Sequence, residues 1–336
     1  MYQINETKML RAIRNSLPPS APTQRLLVES MIFLLVALIC TLPQSTVSSL
    51  YTTVAMLFDE KYYDFIMSES LDMMAFLEYM LEVMEQQPMW MYAVTLALSG
   101  FMILGAVVYC KAFQKRSAFT MGFNRRGVLP EYLLGAIIGL VLIFVPTLIC
   151  VYTNCVAVEL NANADPLMIA FFFLAFVLQG MGEEALFRGY FMTSLSRRYN
   201  VWFAIIASAL MFSAFHMTNP NFSVIAFINI ALFGIFAGVF MLKRGSIWAI
   251  GAIHSMWNFS QSNVFGFNVS GNPKFESLIT ATDKNFGVIL SGGEFGLEGG
   301  LGVTVVLLVA ILISLLMPTK KSELCDSPKF DNAPTY

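Results

Sequence analysis

Glu183, His216, His254 and Asn258 are the residues of this chain whose types and spacing could do chemistry. Glu183 stands in Met181-Gly182-Glu183-Glu184-Ala185-Leu186-Phe187-Arg188, inside an apolar run that opens at Pro166. The chain has 2 histidines, and both lie in apolar segments of helix length. An ionisable side chain at mid-bilayer costs roughly 2.5–3.5 kcal/mol on insertion scales, so each one kept there is a functional candidate. A carboxylate beside an imidazole can deprotonate a water. A second imidazole and a side-chain amide can donate to an oxyanion. Together these groups suit direct attack of water on an amide. Other protease signatures are missing: there is no His-Glu-x-x-His helix and no Gly-x-Ser-x-Gly elbow. Tyr63-Asp64 has no matching Gly-x-Gly-Asp further on.

Helix geometry decides which of these groups can meet. Glu184 and Arg188 are four apart, with the acid on the N-terminal side, and are expected to pair with each other. Glu183 points about 100° away from that pair and needs a partner on another helix. In an antiparallel hairpin turning at Arg198-Tyr199-Asn200, Glu183 and His216 are equidistant from the turn. Each lies about 16 residues, or roughly 25 Å, from it. His216 is therefore the expected neighbour of Glu183. His254 and Asn258 are again four apart and share one face.

The elements that carry these residues are read as membrane-spanning helices. The 336-residue chain is 57% hydrophobic and 12% charged, against about 25% charged in soluble domains. The fold class expected is all-α, a polytopic membrane bundle of about eight transmembrane helices. Their expected bounds are 26–43, 88–112, 131–152, 166–198, 201–217, 222–242, 246–264 and 299–317. A net charge of −2 gives no reason to expect nucleic acid. The 5 cysteines show no metal-ligand spacing, and the four in or at the ends of apolar segments read as small apolar residues.

Four regions follow. Residues 1–25 form a basic leader, read as a simple cytosolic anchor without a cleavage site. Residues 26–119 hold two spans and an acidic amphipathic segment, 52–87, outside the bilayer. Residues 120–317 form the core, with a Gly- and Asn-rich loop at 265–300, and 318–336 form a cytosolic tail. Asn268-Val269-Ser270 matches a glycosylation sequon. Lys and Arg alternate onto one side, which puts both termini of a multi-pass cell-membrane protein in the cytosol.

At these residues the chain resembles the CAAX-protease and bacteriocin-processing family of intramembrane endopeptidases, also called CPBP or Abi. That family carries Glu-Glu-x-x-x-Arg, Phe-x-x-x-His and His-x-x-x-Asn. Here they stand as Glu183-Glu184-Ala185-Leu186-Phe187-Arg188, Phe212-Ser213-Ala214-Phe215-His216 and His254-Ser255-Met256-Trp257-Asn258. The resemblance covers about residues 120–265 and implies a peptide hydrolase. In it Glu183 is the base, His216 assists, His254 and Asn258 hold the oxyanion, and Glu184, Arg188 and Phe212 support the site. The implied partners are the lipid bilayer and a peptide or protein substrate, membrane-anchored ones included. No cofactor is favoured. Zinc stays open, because Glu183, His216 and His254 are ligand types it accepts. Two further readings stay open: a non-catalytic immunity or regulatory protein of the same fold, and a proton-coupled carrier.

Overall fold

Backbone amides out of reach of water must pair within their own segment, which makes helices of long apolar runs. The computed structural model describes residues 7–16, 26–67, 72–125, 127–284 and 288–320. It is mostly helical: α1 (Lys8–Asn15), α2 (Leu26–Leu57), α3 (Glu60–Met67), α4 (Met73–Glu85), α5 (Met89–Leu98), α6 (Phe101–Ala112), α7 (Val128–Tyr152), α8 (Pro166–Glu184), α9 (Thr193–Ser196), α10 (Val201–Phe215), α11 (Val224–Arg244), α12 (Ile247–Phe259), α13 (Val288–Ser291) and α14 (Leu301–Leu316). Between α8 and α9 the helix continues as a π-helical stretch, Ala185–Met192. One antiparallel ribbon, at positions expected to be loop, joins β1 (Val156–Leu160) to β2 (Ile279–Asp283).

Among the described residues, five stretches are long and apolar enough to cross a membrane: Leu26–Leu57, Met89–Ala112, Val128–Tyr152, Pro166–Ser196 and Val224–Arg244. The other three expected spans are shorter helices. α10 has 15 residues, α14 has 16, and α12 has 13 before a π-helical turn at Ser260–Val264. Fifteen residues rise roughly 22 Å against a hydrocarbon core of about 30 Å. α12 is an interior helix: Ile247, Ala249, Ile250, Ala252 and Ile253 are fully buried.

Three boundaries differ from expectation. α2 does not stop at Pro43 but carries it internally and runs on to Leu57. The acidic segment beyond it folds as α3 and α4, joined by Lys61 Nζ to Glu82 at 3.3 Å, and α4 leaves Met73, Met74, Leu77 and Leu81 exposed. α5 and α6 meet at Ser99-Gly100, a break within the expected second span. The leader is more than an anchor where it is described: α1 docks Met9, Leu10 and Ile13, all fully buried. Arg197 donates to the carbonyl of Ser16 at its end, 3.0 Å away. Cys40, Cys110, Cys150 and Cys155 are free and buried. Asn268 is buried and donates to the carbonyl of Glu294 at 2.8 Å, so the sequon is turned inward. Arg25, Glu69, Arg126, Lys321, Cys325 and the rest of the 318–336 tail beyond residue 320 lie outside the described residues.

Small residues set the packing that matters for the site. Gly135 and Gly139, four apart on α7, let it approach α12 until a methyl group at either would overlap the carbonyl of Ala249 or Ile253. Gly180 on α8 does the same toward α12, where a methyl group would come within 2.6 Å of the Ser255 amide nitrogen. Close small-residue contacts of this kind substitute for hydrophobic drive inside a bilayer. They press α12 between α7 and α8 and set which way its side chains face. At one end of the bundle Glu131 of α7 accepts from Arg244 of α11 and from Lys320, each at 2.6 Å. Lys243 donates to the carbonyls of Leu315 and Met317 at the end of α14. The basic helix ends are thereby gathered together and given acceptors.

Candidate active site

α8 ends on Glu183-Glu184, and the π-helical stretch begins at the next residue. Such stretches are rare and concentrate at functional sites. All eight residues from Ala185 to Met192 are buried. Within this setting Arg188 and Glu184 pair at 3.1 Å, both fully buried. The Arg188 guanidinium also lies 4.3 Å from the ring centre of Phe212, close enough for a cation–π contact. Phe212 packs edge-on against both imidazoles, at 4.8 Å from His216 and 5.9 Å from His254.

The structure gives Glu184 a contact that the helical spacing did not reveal. Its Oε1 lies 2.9 Å from His254 Nδ1 as well. A carboxylate accepts, so Nδ1 carries the proton. That leaves Nε2 as the nitrogen free to deal with an occupant. Nε2 stands 3.7 Å from Glu183 Oε2, too far for a direct hydrogen bond. The imidazole beside Glu183 is therefore that of His254, not the expected His216. His216 closes the C-terminus of α10, with its Nδ1 on the carbonyl of Phe212 at 2.8 Å. It makes no ion pair with either carboxylate among the described residues. Equal depth along a hairpin does not settle the direction a side chain takes around its helix.

Sequence reasoning missed Gln179. Its Nε2 donates to Glu183 Oε1 at 2.6 Å, and its Oε1 accepts from Asn258 Nδ2 at 3.0 Å. One amide thus joins the carboxylate of α8 to the asparagine of α12. The signal was available, because Gln179 and Glu183 stand four apart, the same spacing that paired Glu184 with Arg188.

Glu183, His216, His254 and Asn258 all line one cavity of about 370 Å³. α2 and the α5–α6 break contribute Gln44 and Ser99 to its wall. Two acceptors in it are buried and unpartnered: Glu183 Oε2 and Asn258 Oδ1. Buried acceptors left bare are costly, so these two call for a donor such as water or a peptide N–H. As a metal site the set is incomplete. Among the described residues no group of three or more His, Cys, Asp and Glu side chains is placed to hold an ion. Glu183 and His254 alone offer two ligands, short of the three that catalytic zinc takes.

Residues 165–260 match the family described as type II CAAX prenyl endopeptidase Rce1-like. The match spans all three motifs and bears out the resemblance over that stretch. No curated protein matches this chain.

Proposed function

We propose that this multi-pass membrane protein is an intramembrane endopeptidase that cleaves a peptide bond with a water activated by Glu183. The observation that carries the reading is Glu183 Oε2, buried, unpartnered, lining the cavity and 3.7 Å from His254 Nε2. A water in front of that pair can touch both. Gln179 holds the other carboxylate oxygen, so Oε2 alone faces the water. Glu183 takes one water proton as the oxygen attacks the carbonyl carbon. The oxyanion that forms accepts from Nε2 of His254, which acts here as an imidazolium protonated on both ring nitrogens between two carboxylates, and from the second N–H of Asn258, whose first is spent on Gln179. Glu184 keeps His254 protonated at Nδ1 and aimed. The carbon–nitrogen bond then breaks, and Glu183 returns its proton to the leaving amine. His216, its Nδ1 committed to a carbonyl, has Nε2 left to assist at the water or the leaving group. The alternation of basic and acidic ends supports both termini lying in the cytosol.

The test is cleavage of reporter peptides in proteoliposomes. General acid–base groups are worth about 10²–10⁴-fold. Glu183→Gln should lose at least that factor while unfolding at the same denaturant concentration. Undiminished cleavage by both Glu183→Gln and His254→Ala would reject the proposal.

A further inference from the structure

A cavity that receives a peptide selects by charge as well as shape. The carboxylate and imidazole side chains lining this one are Glu183, His216, His254 and Glu298, and no lysine or arginine lines it among the described residues. Glu298 comes from the 265–300 loop and is firmly held. Its Oε2 accepts from the Ser270 amide at 2.9 Å and from the Ser270 hydroxyl at 2.6 Å. Its backbone carbonyl accepts from the amide of Asn229 at 2.8 Å. Ser270 is tied back to the proposed active site. Its carbonyl accepts from the Asn219 side chain at 2.9 Å, and the Asn219 backbone amide donates to the carbonyl of His216 at 3.0 Å. Glu298 is thus joined to His216 by a short bonded path.

The second oxygen of Glu298 accepts no hydrogen bond among the described residues. One anchored oxygen and one free oxygen, in a partly desolvated cavity, make half of a charge-assisted pair. A separate feature points the same way. Asn258 is 3% exposed, and its Oδ1 is unpartnered in the same cavity. The cavity therefore presents free acceptors and, among the described residues, no lysine or arginine of its own to occupy them.

We infer that Glu298 is a specificity-determining residue that favours a peptide placing a lysine or arginine side chain in this cavity. That this occupant is a substrate rests on the endopeptidase reading. Its electrostatic preference can be measured separately. The probes are apolar fluorescent peptides with amidated C-termini, identical except for one Lys, norleucine or Glu. Binding is measured on full-length Glu183→Gln protein in nanodiscs, and cleavage on the unaltered protein.

The Lys peptide should bind about tenfold or more tighter than the Glu peptide, as one charge-assisted hydrogen bond implies. Glu298→Gln retains an oxygen for both Ser270 bonds and should erase the difference. Glu298→Lys should reverse it. Binding of the Lys and Glu peptides within about twofold of each other, or a Lys preference that survives Glu298→Lys, overturns the inference. A Lys preference abolished by Glu298→Gln, with no cleavage by the unaltered protein, upholds the inference and removes the endopeptidase reading. Cleavage with no charge preference does the reverse.

Discussion

Replacing Arg188 by Met keeps most of its length and removes its charge. Arg188 and Glu184 are fully buried and 3.1 Å apart, so the loss leaves a carboxylate in the interior with only the imidazole of His254 for company. Breaking a buried ion pair from one side costs about 3–5 kcal/mol. The lost contact with the Phe212 ring, at 4.3 Å, adds about 0.5–2 kcal/mol. Adding Glu184→Gln removes the stranded charge, and the new amide oxygen can still accept from His254 Nδ1. The double variant should therefore regain most of the first sum. Unfolding in mixed micelles with rising SDS reads these differences directly. The reasoning fails if Arg188→Met costs less than about 1 kcal/mol, or if the double variant is no more stable than the single one. Peptide cleavage by the double variant should stay well below that of the unaltered protein, because a neutral amide holds the His254 proton less firmly than a carboxylate.

Gln179→Met should lower kcat roughly 10–100-fold with KM little changed, since it removes a charge-assisted bond worth about 1.5–3 kcal/mol from Glu183; single-turnover cleavage separates the two. Gly139→Leu drives a side chain into the Ile253 carbonyl, and should cost at least about 1–3 kcal/mol in SDS unfolding and lower cleavage by shifting His254. In α4, burial first and the Asp59 carboxylate second push the Tyr79 hydroxyl from 10.0 up to about 12. The stability that this raised value reflects is present below pH 10 and is lost as pH rises through about 12. Ultraviolet titration should show a tyrosine ionising near pH 12 that Tyr79→Phe removes and Asp59→Asn moves toward 10.

Sequence alone determined a helical membrane bundle, the segments that carry the polar residues, and the Glu184–Arg188 pair. Those features follow from local rules: apolar runs bury their backbone as helix, and residues four apart share a face. The same rule held Gln179–Glu183 in plain view. Tertiary structure alone decided that His254, not His216, stands beside Glu183, and that Glu184 orients it. The direction α12 faces depends on contacts at Gly135, Gly139 and Gly180, which no spacing within α12 encodes. It likewise decided that α2 runs through Pro43, that β1 pairs with β2 across more than a hundred residues, and that Glu298 reaches the cavity. Periodicity gives depth and face within one helix, whereas the meeting of side chains from different helices is set by how closely their backbones can approach.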